Sequence, residues 1–260
     1  IRSFKEFLAQ SVALTPDGGY IVSGSWDSTI KLWDISSGKE IRSFEGHSDR
    51  VDSVAVTPDG RYIVSGSWDS TIKLWDIGNG KEIKSLEGHS HYVNSVAVTP
   101  DGRYLVSGSD DKTIKLWDID SGKEIRSFEG HSGRVKSVAI THDGKYIVSG
   151  SWDGTVKLWD ISSGKLLCSY VAITNGEWLV WTADGEYNCS DGAYKYFCFV
   201  DDSKGIPEVV PESHPVYKQK KKDILLRDYT GGTNPYAKNP PLQTDVPRLE
   251  LDIDDDEISF

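Results

Sequence analysis

Residues 46–87 read GHSDRVDSVAVTPDGRYIVSGSWDSTIKLWDIGNGKEIKSLE, and close copies of this phrase begin again at Gly88 and Gly130. Trp33, Trp75, Trp117 and Trp159 stand 42 residues apart, each inside TIKLWD or TVKLWD. Self-similarity at a fixed period of this length marks a supersecondary unit that stacks on copies of itself.

The unit divides into four short strands. Val51–Val56 alternates apolar and polar residues, and Pro58-Asp59-Gly60 then supplies a turn. Arg61–Ser67 follows, the Trp68-Asp69-Ser70 corner leads into Thr71–Ile77, and Gly78-Asn79-Gly80 breaks the chain before Lys81–Leu86. One such sheet is apolar on both faces and cannot bury them alone, which is the physical reason for repetition.

The Gly-His pair, the S-G-S-x-D corner and the Trp-Asp ending resemble the WD40-repeat family over about residues 1–170, with likenesses to prokaryotic WD-repeat proteins. The resemblance implies an all-β propeller of four-stranded blades, of which about 4–8 close a ring. Four regular blades are expected at about 8–45, 46–87, 88–129 and 130–172. A divergent fifth is expected at 173–200, where Glu177–Thr182, Glu186–Ser190 and Lys195–Val200 are strand-like. The phrase GEWLVWTADGEYNCSDG, from Gly176, resembles the last blade of prokaryotic WD-repeat proteins, some of which carry a caspase-like peptidase. About five blades fall short of the seven usual in the family. Ile1–Phe4 reads as an outer strand of a preceding blade, so blades before Ile1 are expected. An unusual closure, or two chains completing one another, are the alternatives. Residues 1–200 form the propeller in this reading. Residues 201–260, rich in Pro and Gly and ending in an acidic stretch, read as linker and tail.

Composition narrows the function. The net charge is −11 over 260 residues. Residues 1–170 hold 20 basic and 23 acidic side chains, and residues 171–260 hold 9 and 17. Nucleic acid demands a basic face, so it is not an expected partner. No apolar run approaches the roughly 18 residues of a membrane helix. Cys168, Cys189 and Cys198 are odd in number and show no C-x-x-C spacing, which fits a reducing cytoplasm and argues against a zinc site. No metal and no cofactor is expected. Asp252, Asp254 and Asp256 imitate the start of a calcium loop but lack its glycine, and His91, His142 and His214 show no ligand pattern. Asn188-Cys189-Ser190 matches a glycosylation sequon by chance, and Lys220–Lys222 reads as a solvated charge run.

By motif position the resemblance assigns a hydrogen-bonded set to each regular blade: His47, Ser65, Asp69 and Trp75; His89, Ser107, Asp111 and Trp117; His131, Ser149, Asp153 and Trp159. Ser, His and Asp within reach suggest a hydrolase. Threefold recurrence points instead to structure, and no catalytic residue is assigned. The first unit keeps Ser23, Asp27 and Trp33 without a His, so its set should be incomplete. The resemblance also places Trp26, Trp68, Asp110 and Trp152 on one rim, the top face, together with Arg50, Asp52, Tyr92, Asn94, Arg134 and Lys136 at the strand entrances. Arg134 and Lys136 beside Trp152 form a basic, aromatic patch, while Asp52 and Asp110 should make other sectors acidic. Tryptophan supplies apolar area plus one donor, as binding hot spots require. The expected role is a non-catalytic scaffold for a protein or peptide, with a sensor propeller of a larger effector as the alternative.

Overall fold

The computed structural model describes residues 8–183, 187–190, 193, 199–201 and 208–210. Four antiparallel four-strand units follow the 42-residue period. The first holds β1 (Ala9–Leu14), β2 (Tyr20–Ser25), β3 (Ile30–Asp34) and β4 (Lys39–Phe44), and the second β5 (Val51–Val56), β6 (Tyr62–Ser67), β7 (Ile72–Asp76) and β8 (Glu82–Leu86). The third holds β9 (Val93–Val98), β10 (Tyr104–Ser109), β11 (Ile114–Asp118) and β12 (Glu124–Phe128). The fourth holds β13 (Val135–Ile140), β14 (Tyr146–Ser151), β15 (Val156–Asp160) and β16 (Leu166–Ala172). Strands within each unit pair in sequence order. These are the blades expected from the repeat.

The T-x-D-G phrase, with Pro second in three blades and His142 in the fourth, explains each first turn. Thr57 Oγ1 donates to Asp59 Oδ1 at 2.6 Å and accepts from the Tyr62 N–H at 3.0 Å. Gly60 sits at φ +72°, the left-handed region that closes the turn and that a side chain disfavours.

The core lies between blades rather than within them. One layer holds Val22, Ile30, Leu32 and Phe44 from the back of the first blade against Val51, Val54, Ile63 and Trp75 from the front of the second. The next two junctions repeat it, with Ile72 and Leu86 against Val93, Val96 and Trp117, then Ile114 and Phe128 against Val135, Val138 and Trp159. Phe44 meets Trp75 edge-on at 6.1 Å, and Phe128 meets Trp159 in the same way at 5.9 Å. Glycine sets the spacing: a Cβ on Gly66 would stand 2.7 Å from Val93 Cγ1, and one on Gly108 would stand 2.7 Å from Val135 Cγ1.

Two polar ties cross each junction. On the inner strands the N–H of Val54 donates to Ser11 Oγ, that of Val96 to Ser53 Oγ and that of Val138 to Ser95 Oγ, at 3.0–3.1 Å. On the outer strands Arg42 donates to the carbonyls of Gly78 and Asn79, Lys84 to those of Ile119 and Asp120, and Arg126 to those of Ser162 and Ser163. Each basic side chain clips a blade to a loop of the next.

The divergent segment departs from expectation. β17 (Trp178–Thr182) pairs antiparallel with β16, and β18 (Tyr187–Cys189) with β17, so the fourth sheet has six strands. The expected fifth blade is therefore not a separate sheet among the described residues. The segment instead adds to the outer edge of β16, where Cys168, at the position of the clipping Arg or Lys, pairs with Thr182. Tyr187, Cys189 and Ala193 bury a small satellite cluster against Ile173, Leu179 and Trp181. β19 (Phe199–Asp201) pairs with β20 (Glu208–Val210), so strand pairing continues past residue 200. Ile1–Phe4, most of Lys195–Val200 and the acidic tail lie outside the described residues.

Candidate partner-binding rim

The three predicted polar sets form as relays. In the second blade Asp69 Oδ2 accepts from His47 Nδ1 at 2.7 Å, His47 Nε2 lies 2.8 Å from Ser65 Oγ, and the Trp75 indole N–H donates to that oxygen at 2.8 Å. The third and fourth blades reproduce this through His89, Ser107, Asp111 and Trp117 and through His131, Ser149, Asp153 and Trp159. A neutral His with its proton on Nδ1 satisfies every member: Trp donates to Ser, Ser to His, His to Asp. Among the described residues of the first blade the relay is represented by the Trp33–Ser23 bond, at 2.9 Å, and Asp27 holds Thr29.

The order Asp, His, Ser matches a hydrolase triad, but access does not. Ser65, Ser107 and Ser149 are fully buried, and an indole N–H occupies each oxygen. A nucleophile needs room for a carbonyl beside it. These sets lock the second and third strands of each blade to the segment that enters its first strand.

Electrostatics agree. Burial alone would raise the Asp69 carboxyl, yet hydrogen bonds from His47 and Thr71 outweigh it and hold it far below the usual carboxylate range. Asp111 behaves alike through His89 and Thr113, and Asp153 through Thr155 and His131. His131 is pushed below its ordinary value by burial, against the pull of Asp153.

The corners bring the two predicted rim sets side by side. The N–H of Trp68 donates to the Arg50 carbonyl, that of Asp110 to Tyr92 and that of Trp152 to Arg134, at 2.9–3.0 Å. Corner and strand entrance therefore share one edge of each blade.

From the first to the third blade the rim is a continuous stack. The Arg50 guanidinium lies between Trp26 (4.6 Å) and Trp68 (3.8 Å) and pairs with Asp52. The Trp68 indole N–H donates to Asp52 Oδ2 at 2.6 Å, and its ring lies parallel to Tyr92 at 4.5 Å. Trp68 is thus engaged by its neighbours, and Asp52 is neutralised rather than an acidic sector.

The fourth blade closes the rim differently. Asp110 is buried, contrary to the expectation of an exposed acidic position, and pairs with Arg134 (3.0 Å) and Lys136 (3.5 Å). Asn94 is also buried, donating to Asp110 Oδ1 and to the Val135 carbonyl while accepting from Lys136. Both residues brace the junction, so neither is a contact surface. Arg134 and Lys136 each lie 5.0 Å over the Trp152 ring, which is 67% exposed. Trp26 is 50% exposed. Two of the three corner tryptophans therefore present open rings backed by cations.

Repeating blades, buried Trp-Ser-His-Asp relays and a tryptophan rim together fix the family. The profile described as "WD domain, G-beta repeat" matches residues 8–34, 38–76, 80–118 and 122–160. The chain belongs to the WD40-repeat family. Among similar proteins, the nuclear distribution protein PAC1-2 of Postia placenta is 39% identical over 49 residues, 19% of this chain and 12% of that protein. The small ribosomal subunit protein RACK1 of Saccharomyces cerevisiae is 46% identical over 41 residues, 15% of this chain and 13% of that protein. The human dynein assembly factor with WD repeat domains 1 is 46% identical over 41 residues, 16% of this chain and 10% of that protein. The matched stretches are about one blade long and span a small part of each relative, so they reflect the repeat.

Sequence reasoning missed the Arg42, Lys84 and Arg126 clips. Their 42-residue recurrence was the signal that could have found them.

Proposed function

We propose that this WD40 chain is a non-catalytic interaction scaffold that receives a protein segment across its top rim. The carrying observation is the pair of half-exposed or more exposed tryptophans, Trp26 and Trp152, with Arg50 against one ring and Arg134 and Lys136 over the other. An open indole backed by a cation offers apolar area and positive charge to a peptide. Because Asp110 offsets part of the charge, a mixed-charge segment fits better than a polyanion.

Affinity capture with wild type, Trp26→Ala and Trp152→Ala tests this. Loss of specific partners from either variant, with unchanged melting, is expected. Identical recovery by both folded variants would refute the rim assignment.

A second reading, a regulatory propeller within a larger effector, has one observation in its favour. A stretch of 43 residues is 45% identical to the probable serine/threonine-protein kinase PkwA of Thermomonospora curvata, covering 6% of that protein. The parent reading frame decides it: no effector domain beside the blades would remove this reading.

A further inference from the structure

The three internal junctions join the back of one blade to the front of the next, and among the described residues the first and fourth blades each present one face that no blade covers. On the front of the first blade Val12 is 68% exposed, while its counterparts Val54, Val96 and Val138 are 5–6% exposed. Leu14 beside it is equally open. On the back of the fourth blade Val156 is 41% exposed, while Ile30, Ile72 and Ile114 are fully buried. A Cβ on Gly150 would meet nothing within 4 Å, whereas one on Gly24, Gly66 or Gly108 would collide with a valine at 2.7–2.8 Å.

We infer that a second copy of this chain covers both faces, front on back and back on front, in a closed two-chain ring. Three junctions in the molecule show what each face takes, and the chain carries both halves. Ser137, the counterpart of Ser11, Ser53 and Ser95, stands in the acceptor position, and the N–H of Val12 stands in the donor position of Val54, Val96 and Val138. On the rim each corner residue lies against the strand entrance of the following blade, as Trp26 lies on Arg50 while staying half exposed. Trp152 of one copy would thus meet Leu8 of the other and keep part of its ring open. Leu8 is itself exposed. The outer clip is missing at this junction because Cys168 replaces the basic side chain, and the contact rests on the inner three strands. Two copies of the four described blades make eight, within the range of about 4–8 that closes a propeller, and three copies of them would exceed it. The contact is head-to-tail, so it closes only as a ring.

Light scattering on the full chain reads the mass directly. Twice 28.8 kDa is expected for wild type. Val12→Asp and Val156→Asp should each run at least tenfold weaker as dimers. Mixed one to one they should recover a dimer, because one front and one back remain intact. Gly150→Ala adds no charge and has room in the single chain, so it should weaken the dimer without changing the fluorescence melt of the diluted monomer. A monomeric wild type at tens of micromolar, or a dimer that survives all three substitutions, overturns the inference.

Discussion

Replacing Ser107 with Ala should destabilise the protein more than replacing Ser23, although both occupy the same position in their blades. Ser107 Oγ is buried between the Trp117 indole N–H at 2.8 Å and His89 Nε2 at 2.7 Å. Alanine leaves both nitrogens facing apolar surroundings. A buried polar group left without its partner costs about 1–3 kcal/mol, so two such groups with partial relaxation give about 2–4 kcal/mol. Ser23 Oγ bonds Trp33 at 2.9 Å in a blade that lacks the relay His, which gives about 1–2 kcal/mol. Urea unfolding followed by tryptophan fluorescence measures both. With a slope of about 2–3 kcal/mol per molar, the Ser107→Ala midpoint should fall by about 1 M and the Ser23→Ala midpoint by about half as much. Equal shifts, or a Ser107→Ala loss below about 1 kcal/mol, would show that the His–Ser bond adds nothing to strand locking.

Further outcomes follow from the same geometry. Gly108→Ala, whose Cβ would lie 2.7 Å from Val135 Cγ1 and 2.9 Å from Val138 Cγ1, should lose about 1–3 kcal/mol to overpacking in the same unfolding assay. Trp68→Ala removes the Tyr92 stack and the bond to Asp52, and should lower stability by about 2–3 kcal/mol, while Trp152→Ala in the diluted monomer should change it by less than about 1 kcal/mol in scanning calorimetry. The depressed carboxyls of Asp69, Asp111 and Asp153 bind protons less readily folded than unfolded, and so does the depressed His131. Their stabilisation is therefore full above the unfolded values, about 6.5 for His and 3.9 for Asp, and declines as pH falls through them toward the folded values. Melting temperature should drop between neutral pH and pH 3, and Asp153→Asn should flatten the acid limb of that curve. Ser70 holds φ +69°, while the fourth blade has Gly154 at φ +82° at that place. Ser70→Gly should accordingly be neutral or stabilising by up to about 1 kcal/mol in urea unfolding.

Much of the blade was legible because the chemistry recurs as a phrase. Trp75, Ser65, His47 and Asp69 stand at fixed spacing, and a relay of that kind needs fixed spacing. The turn at Thr57-Pro58-Asp59-Gly60 was readable for the same reason. What sequence could not supply was adjacency. Trp178–Thr182 is a strand by pattern, but pattern does not say which edge it joins, and it added to the outer edge of β16. Trp68 and Trp152 sit in the same corner phrase. One is stacked because Tyr92 follows it in the next blade, and the other is open because no following blade lies beside it among the described residues. Asp110 was read as a surface charge because the letters do not reveal Arg134 and Lys136 converging from a neighbouring blade.

The near identity of the three inter-blade layers has a consequence for how the chain reaches this state. Any back face can accept any front face with almost the same fit, so a newly formed blade meets several docking partners of nearly equal energy. Tethering favours the adjacent one, since a short linker raises its local concentration. At high protein concentration the preference weakens, and skipped or crossed pairings between chains compete. The sameness that makes the solenoid-like stack easy to extend also makes it easy to misassemble, and the few non-identical contacts, Asn94 with Lys136 and Trp68 with Tyr92, act as registration marks that tell one junction from the next.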